Sequence, residues 1–568
     1  MKNSSFKYLV IVESPSKART ISKILGRDYR VIATLGHIVD LPKRKLGVNP
    51  ENGFIVEYNV LYGKKKIIDE IKRLAKKAEI VYLATDPDRE GEIISYHILK
   101  YSKIEEDKYW RIHIKEITPQ GIKEALENKT KIDLNKVASQ QTRRILDRLI
   151  GYKISPILWR KLSQKGLSAG RVQTVGLRII YEREKEIEEF KSKEFYKIFL
   201  DAVIDNVKIT LPIELEKGRY LNKIEAEELK EKLEEKIKNK EFFFNYYVKL
   251  RKEAPPEFFI TSTLQKEAGN LFKFSPGKTM RIAQTLYEGK NLGTTYRIGL
   301  ITYMRTDSKR ISSSAINMAK NFVEKNYPNI KKDNINFNMK NSKFSQDAHE
   351  AIRPSNVEYT PYNIKRYLTQ DEYKLYDLIW RRFISNFLKD AVYEDLFIEI
   401  SFNKIEDSPL VFKKKLSRIK EKNFREVYYF RMPKDDEFPF DFSNIKIEKL
   451  YLKKERTKPP SRYTISSFIS ILEKNGIGRP STYAQIIETL KKRGYIKIKG
   501  TTIYITELGK KLWEFFKDKK LDLFDIEFTK NMEDDLDKIE NKKKERNKVL
   551  SDFYNNFKNT LEFLWKGN

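Results

Sequence analysis

The 568-residue sequence contains no cysteine, and this absence removes several kinds of chemistry. Disulfide bonds, thiolate zinc sites and cysteine nucleophiles are all excluded. Only four histidines are present, which leaves little room for a histidine-rich metal site. Any metal site in this chain is therefore expected to use oxygen ligands, as Mg²⁺ does.

Long apolar runs are also missing. The first residues, MKNSSFKYLVIVES, contain an apolar run of only five residues, which is too short for a secretory signal peptide. Nowhere do about 18 uncharged apolar residues follow one another, as a transmembrane helix requires. We therefore expect a soluble, cytoplasmic protein with no membrane partner.

Acidic residues are too few to balance the basic ones. The chain has 113 Lys and Arg against 80 Asp and Glu, a net charge of +33. Such an excess is typical of a protein with an anionic partner, most often nucleic acid, although a lysine-rich solvated surface is the alternative. The length predicts about four domains, and the 40% hydrophobic content is sufficient for several packed cores.

Two strand–turn–helix units in the first quarter of the chain predict a parallel α/β domain. Glu13 and Lys17 follow the strand KYLVIV, and Asp86, Asp88 and Glu90 follow the strand EIVYLA. Ligands of such folds bind at the carboxyl ends of the strands. If the two strands are neighbours, Glu13, Asp86 and Asp88 can converge on one Mg²⁺ ion. An acidic surface turn and a solvated Glu–Lys pair are the alternatives.

The segment ITYMRTDS places Arg305 two residues after Tyr303. A phenol has a pKa of about 10, so a nucleophilic tyrosine needs cations nearby, and the arginine fork fits phosphate. A half-buried tyrosine with a solvated arginine agrees equally well with this spacing. No ATP site is predicted, because SPGKTM lacks the glycine that a phosphate loop needs at position 272, where the chain has phenylalanine.

Basic and aromatic residues alternate in QQTRRILDRLIGYKISPILW. Arg143 and Arg144 can contact phosphates, and Tyr152 and Trp159 can stack on unpaired bases. The alternative is an ordinary helix on which Arg143 pairs with Asp147, four residues along.

Together these stretches resemble type IA DNA topoisomerases, and in particular the bacterial topoisomerase I branch. The motifs that carry the resemblance, in order between about residues 7 and 495, are LVIVESPSKA, TDPDREGE, QQTRRILDRLIGY, LSAGRVQT, LITYMRTDS, AHEAIRP and GIGRPSTYA with RGY. The form VESPSKA is similar to the supercoil-relaxing branch, whereas topoisomerase III more typically has EKPS. Unlike many bacterial members, the chain has no cysteine-rich zinc ribbons after the core.

The resemblance implies a multidomain α/β plus α+β protein with an N-terminal Toprim domain and a toroidal core. The implied domains are a Toprim domain at 7–120, the helical and β start of an arch at 133–258, a domain with the nucleophilic tyrosine at 259–390, the rest of the arch with a DNA-binding helical domain at 391–530, and a charged helical tail at 531–568.

The activity implied by the resemblance is ATP-independent relaxation of negatively supercoiled DNA. One strand is cut through a 5′-phosphotyrosine intermediate, another strand passes, and the cut strand is rejoined. The implied catalytic residues are Tyr303 as nucleophile, Arg305 and Lys17 as stabilisers of the transition state, Glu13 as proton donor to the leaving 3′-oxygen, and His349 as a supporting residue. Mg²⁺ would be held by Glu13, Asp86 and Asp88.

By the same transfer, the partner is a single-stranded segment of DNA. The implied DNA contacts are His37, Arg143, Arg144, Asp147, Tyr152, Trp159, Ser168, Ala169, Gly170, Arg171, Val172, Gln173, Arg305 and Arg493. A nucleoid-associated monomer without a nucleotide cofactor is expected.

Two other functions stay open. One is a topoisomerase III-like decatenase, which a comparison of relaxation with decatenation would separate. The other is a non-catalytic single-stranded DNA-binding protein that keeps the scaffold. The presence of Tyr303, Arg305, Glu13 and the acidic turn argues against this second alternative.

Overall fold

The computed structural model describes residues 6–216, 219–335, 337, 350–405, 408–439, 441–519 and 521–566. The strands of the N-terminal region are β1 (Tyr8–Val12), β2 (Tyr29–Ala33), β3 (Val39–Asp40), β4 (Val48–Asn49), β5 (Ile55–Val56), β6 (Asn59–Val60), β7 (Ile80–Leu83) and β8 (Tyr109–Arg111). Its helices are α1 (Pro15–Leu25), α2 (Lys65–Lys77), α3 (Arg89–Ser102) and α4 (Pro119–Glu127).

The main N-terminal sheet is parallel, in the order β2-β1-β7-β8. This confirms the predicted parallel α/β domain and makes β1 and β7 neighbours. Strand β1 is an unbroken apolar run because both of its faces are buried. Leu9 and Ile11 belong to the core on the α2–α3 side, whereas Val10 and Val12 belong to a second core that includes Leu286.

Three helices and three strands come next along the chain. They are α5 (Leu134–Lys161), α6 (Arg171–Glu188), β9 (Glu194–Ile204), β10 (Val207–Glu214), α7 (Lys223–Lys238) and β11 (Phe242–Glu253). Asn222 caps α7 in a capping box with Glu225, which fixes the start of this charged helix.

A mainly helical segment follows. It packs on the face of β1 that carries Val10 and Val12. Its elements are α8 (Thr261–Phe272), α9 (Pro276–Glu288), β12 (Lys290–Asn291), β13 (Arg297–Ile298), α10 (Ser313–Asn326), α11 (Pro361–Ile364), a 3₁₀ turn (Lys365–Tyr367) and α12 (Gln370–Ser385). The segment SPGKTM is the start of α9, with Ser275 as its N-cap.

Three further strands complete a six-stranded antiparallel sheet in the order β11-β14-β15-β10-β9-β16. They are β14 (Ala391–Ile405), β15 (Ser408–Glu421) and β16 (Ile445–Arg456), with a 3₁₀ turn (Asn423–Glu426) between the last two. Alternating residues of these strands, such as Leu200, Ile398 and Phe412, form a core that α7 covers.

The last elements pack on α5 and α6. They are α13 (Ile465–Lys474), α14 (Tyr483–Lys492), β17 (Ile496–Lys499), β18 (Thr502–Ile505), α15 (Glu507–Asp518), a 3₁₀ turn (Asp522–Phe524), α16 (Ile526–Glu540) and α17 (Arg546–Lys566). The segment expected to be a charged tail is helical, and it also has a buried apolar stripe that includes Leu536, Ile539 and Leu550. None of the helices in the described part of the chain has the length and apolar composition that a membrane crossing requires.

Candidate active site

The acidic turn between β7 and α3 has a backbone conformation that depends on Gly91. A Cβ atom at Gly91 would lie 1.9 Å from the carbonyl oxygen of Asp86, so no other residue fits without a shift of the turn. Asp88 is the N-cap of α3, and its Oδ1 accepts a hydrogen bond of 2.9 Å from the Gly91 amide. Asp86 and Asp88 are thereby held, largely buried, at the carboxyl end of β7.

Arg111, at the end of β8, holds the backbone of this turn through hydrogen bonds. Its guanidinium is fully buried and donates to the carbonyl oxygens of Asp86 at 2.7 Å and Thr85 at 3.0 Å. Its Nε donates to Glu92 at 2.9 Å. Sequence analysis missed Arg111 and Glu92. The sequence does contain a signal for them, which is an arginine within a mostly apolar stretch. Such an arginine is buried when the strand is buried, and a buried charge needs a fixed partner.

The turn after β1 meets the acidic turn, as the predicted adjacency of the two strands requires. The Lys17 ammonium is buried and forms an ion pair with Asp86. Glu13 Oε1 accepts a 3.0 Å hydrogen bond from the Asp86 amide. The Lys17 ammonium also lies 5.4 Å from the centre of the ring of Tyr287, a buried residue of α9.

The protonation of Glu13 follows from this crowding. Burial, and then the negative charges of Asp86 and Asp88, raise the pKa of Glu13 to about 8. This shift favours the protonated form of the Glu13 carboxyl group. Burial disfavours the charge of Lys17, but the adjacent Asp86 outweighs it and raises the pKa of Lys17. The site thus holds one proton donor and one fixed cation.

Tyr303 reaches the acidic turn from the segment between β13 and α10. Its phenol donates a 2.7 Å hydrogen bond to Asp88 Oδ2, and Arg305 Nη1 lies 3.6 Å from the same oxygen. The segment around Tyr303 is irregular rather than a strand, and the Tyr303 amide bonds the carbonyl of Lys115 at 2.8 Å. Tyr303 is only 3% exposed, with its ring packed edge-on against Tyr287.

This environment keeps the Tyr303 phenol protonated. Burial, and then the charges of Asp86 and Asp88, raise the pKa of Tyr303 well above its usual range, while Arg305 acts in the opposite direction. Deprotonation of the phenol therefore requires a nearby proton acceptor. Asp88 is in hydrogen-bonding contact with the phenol and can accept that proton.

His349 lies outside the described residues, so its predicted role stays a prediction. The described residues next to it are Glu350 and Arg353. Arg353 forms ion pairs with Glu350 at 2.7 Å and with Glu116 of the N-terminal domain at 3.1 Å.

A groove leads away from Arg305 and brings most of the predicted DNA contacts together. It comprises two adjoining cavities, of about 560 Å³ and 370 Å³. The predicted residues that line them are His37, Arg143, Arg144, Asp147, Ser168, Ala169, Gly170, Val172, Gln173, Arg305 and Arg493. The groove is also lined by three residues that the sequence did not predict, Gln140, Gln485 and Thr489. They lie on helices, and a helical sequence does not show which other helix its polar face will meet.

The cations of the groove differ in their partners. Arg144 is bidentate on Asp40, with both contacts at 2.7 Å, and His37 Nε2 lies 3.3 Å from Glu90. Arg143 has no ion pair with any described residue and is partly exposed. Its charge helps to lower the pKa of Glu90 and of Glu533, and its exposed part can contact a phosphate.

Three predicted DNA contacts lie away from the groove surface. Arg171 is fully buried, and its Nη2 lies 2.6 Å from Glu533. Tyr152 and Trp159 are partly exposed on α5, and neither lines the two cavities. Their polar atoms donate to the carbonyls of Arg44, at 3.1 Å, and Leu167, at 2.5 Å. In this conformation Arg171 has a structural partner in place of a phosphate.

The donor chemistry at the acidic turn fits a hard cation. Within the described residues, no three His, Asp or Glu side chains are grouped closely enough to hold a metal ion by themselves. Mg²⁺ commonly binds through one or two carboxylates together with phosphate oxygens and water, so a three-carboxylate cage is unnecessary. Burial is the main reason why the pKa of Glu13 is raised, and the charges of Asp86 and Asp88 add to it; a cation would offset the part that comes from these carboxylates.

Comparison with known proteins agrees with this geometry. A family model described as DNA topoisomerase matches residues 131–551, and one described as Toprim domain matches residues 8–117. The fold is similar to that of full-length topoisomerase I from Thermotoga maritima. The two chains are 38% identical, the match covers 98% of this chain and 90% of that one, and the TM-score is 0.84.

Proposed function

The chain belongs to the type IA DNA topoisomerase family, with an N-terminal Toprim domain, and from this premise we propose that it relaxes negatively supercoiled DNA without ATP. The observation that carries the proposal is the hydrogen bond between the Tyr303 phenol and Asp88 of the acidic turn. It places a nucleophile, an acceptor for its proton and the Arg305 cation in one site.

The cleavage step that we propose uses groups already in contact. Tyr303 Oη attacks the phosphorus of a phosphodiester in single-stranded DNA and passes its proton to Asp88. The bond from phosphorus to the 3′-oxygen breaks, and Glu13 protonates that oxygen. The products are a 5′-phosphotyrosine and a free 3′-hydroxyl. Rejoining is the reverse, with Glu13 accepting the proton.

Charge stabilisation comes from the two fixed cations. Arg305 and Lys17 lie on either side of the acidic turn, where negative charge develops on the phosphoryl oxygens. Glu13, Asp86 and Asp88 would hold Mg²⁺, which supplies further positive charge beside the phosphate when bound. His349 is proposed to support the cleaved strand.

The energetics of the reaction require no nucleotide. One phosphate ester is exchanged for another of similar energy, so the bond energy needed for rejoining is retained in the phosphotyrosine. Torsional strain drives the relaxation and also exposes the single strand, which the groove with Arg143 is proposed to bind.

The first prediction is that Tyr303→Phe abolishes the covalent adduct and leaves single-strand binding intact. Phenylalanine keeps the ring contact with Tyr287 and removes only the oxygen that attacks phosphorus. Adduct formation is measured with a labelled oligonucleotide on a denaturing gel, and binding by fluorescence anisotropy. If the adduct persists in this variant, the assignment of the nucleophile is wrong.

A further inference from the structure

The acidic face of α16 contacts three arginines that come from three separate motifs. Its carboxylates are Glu533, Asp534, Asp537 and Glu540, which recur at the spacing of one helix face. The arginines are Arg89 of the acidic turn, Arg171 at the start of α6, and Arg479 in the turn before α14. One helix near the C-terminal end therefore joins three distant parts of the chain.

Asp537 is the centre of this arrangement because each of its oxygens holds a different arginine. Arg89 bonds Oδ1, and Arg479 Nη2 lies 2.6 Å from Oδ2. Glu540 is a second partner of Arg89, through Nε. Arg479 is also fixed by the carbonyl of Gly478, at 2.8 Å.

This bridge lies beside the reacting groups. Asp537, Arg89 and Arg479 line a small cavity of about 40 Å³ together with Asp88 and Arg305. Arg89 directly follows Asp88, which accepts the Tyr303 phenol. A displacement of Arg89 would therefore move the carboxylate that contacts the nucleophile.

The bridging arginines are not available to a phosphate in this conformation. Arg89 and Arg479 are each 9% exposed, and their guanidinium groups are directed to the carboxylates of α16. Removing one partner of a buried ion pair is strongly unfavourable, because it leaves the other charge unpaired. The contacts therefore fix the geometry of the acidic turn relative to α14, one wall of the groove.

We propose that Asp537 is a positioning residue for strand cleavage and rejoining, which rests on the function proposed above. By holding Arg89 and Arg479 at once, it sets the distance between the acidic turn and the groove that binds the strand. Chemistry between a bound phosphate and Tyr303 tolerates little misplacement, since an error of about 1 Å can reduce the rate about 100-fold.

The test uses Asp537→Asn in the full chain. Asparagine has nearly the same shape but loses the charge and one acceptor oxygen. We expect cleavage and rejoining of a single-stranded oligonucleotide to slow about tenfold or more. The Kd for the same oligonucleotide should stay within about twofold, since Arg89 and Arg479 are paired with carboxylates of α16 and are not proposed to bind the strand.

Asp535→Asn is the matched control. Asp535 lies on the same helix but pairs with Lys538 at 3.2 Å and Lys544 at 2.6 Å, away from the three arginines. Its cleavage and rejoining rates should equal those of the unmodified protein. Equal rates for the two variants would show that Asp537 does not position the site.

Glu540→Gln provides a second variant in case Asp537→Asn unfolds. Glu540 contacts Arg89, and its substitution leaves the contact between Asp537 and Arg479 in place. We therefore expect a smaller slowing of cleavage and rejoining. Rates unchanged by this variant, when Asp537→Asn cannot be measured, would overturn the proposal.

Tighter binding of the oligonucleotide by Asp537→Asn, with a steeper salt dependence, would also overturn it. That result would mean that Arg89 and Arg479 bind phosphates once they are released. Failure of the proposed function is distinguishable, because the unmodified protein would then form no adduct at all.

Discussion

Asp88 combines a structural and a chemical contact in one side chain. Its Oδ1 caps α3 through the Gly91 amide, and its Oδ2 accepts the Tyr303 phenol. Asparagine is as good an N-cap as aspartate, whereas alanine is not. Substitution can therefore separate the two contacts.

We predict that Asp88→Asn keeps nearly all of the stability, while Asp88→Ala loses about 1 kcal/mol through the missing cap. Both variants should form the covalent adduct about 100-fold more slowly, because neither can accept the phenolic proton. Thermal unfolding and a single-turnover adduct assay measure the two effects. An active Asp88→Asn variant would argue against Asp88 as the acceptor.

His97 makes the N-terminal domain sensitive to acid. Its ring is buried beside Tyr58 and Tyr101, and neither nitrogen has a hydrogen-bond partner among the described residues. Burial, and then the charges of His37 and Lys100, lower the pKa of His97 to about 3 from its usual 6.5. Below pH 6.5 the unfolded chain binds a proton that the folded chain excludes.

The native state should therefore lose up to about 1.4 kcal/mol per pH unit as the pH falls from 6.5 toward 3. We predict that His97→Leu removes this part of the pH dependence, as measured by denaturant unfolding at pH 7 and pH 5. His37→Gln is the control, since His37 is partly exposed. Identical slopes for His97→Leu and the unmodified protein would contradict the prediction.

The residues that could be predicted from the sequence are those whose positions follow from a neighbouring element of the chain. Glu13, Lys17, Asp86 and Asp88 each follow an apolar strand, and strand adjacency alone places them together. Arg111 and Arg171 could not be interpreted in this way. Their partners, Glu92 and Glu533, are defined only by the packing of other elements.

Among the elements, the turn from β7 to α3 shows the tightest sequence requirement. Gly91→Ala should destabilise the protein by roughly 3 kcal/mol, because the added carbon meets the backbone of Asp86 and the turn must shift. Gly151→Ala in α5 is the control, since its nearest contact would be 3.9 Å away. It should be neutral or stabilising by about 0.5–1 kcal/mol.

Thermal unfolding of the two glycine variants decides this prediction. Equal midpoints would mean that the acidic turn can adjust without loss. If the turn does shift in Gly91→Ala, the rate of adduct formation should fall along with stability. The added carbon would displace the backbone of Asp86, and the Gly91 amide that holds Asp88 would move with it.

The elements themselves were mostly predictable. Apolar runs predicted β1 and β7. The two last helices were predicted as helical, but their packing was not, because the lysine-rich composition conceals an apolar stripe. Leu536 and Leu550 of that stripe are fully buried against α5 and its neighbours.

At the scale of the whole molecule, the net charge of +33 predicts binding to DNA that weakens steeply with salt. Arg143 and Arg171 permit a sharper test, because one lies in the groove without an ion pair to any described residue and the other is buried against Glu533. Arg143→Gln should lower the slope of log K against log salt by about 0.7, the value for one phosphate of a single strand.

Arg171→Gln should leave that slope unchanged and should lower stability, because Glu533 would be buried without its partner. Affinities at several salt concentrations and thermal unfolding give both quantities. A reduced slope in Arg171→Gln would mean that Arg171 leaves Glu533 to bind DNA.

The burial of Tyr303 has a consequence for inhibition. The phenol is covered by the N-terminal domain, and the Tyr303 amide is bonded to Lys115 across the same contact. On the proposed mechanism, a DNA phosphate must contact this phenol, so we expect these two segments to separate before cleavage. On this mechanism, a small molecule that bound both segments at once would hold the closed conformation without occupying the phosphate site. Since DNA needs the open conformation, the two would exclude each other, and inhibition should weaken as the DNA concentration rises.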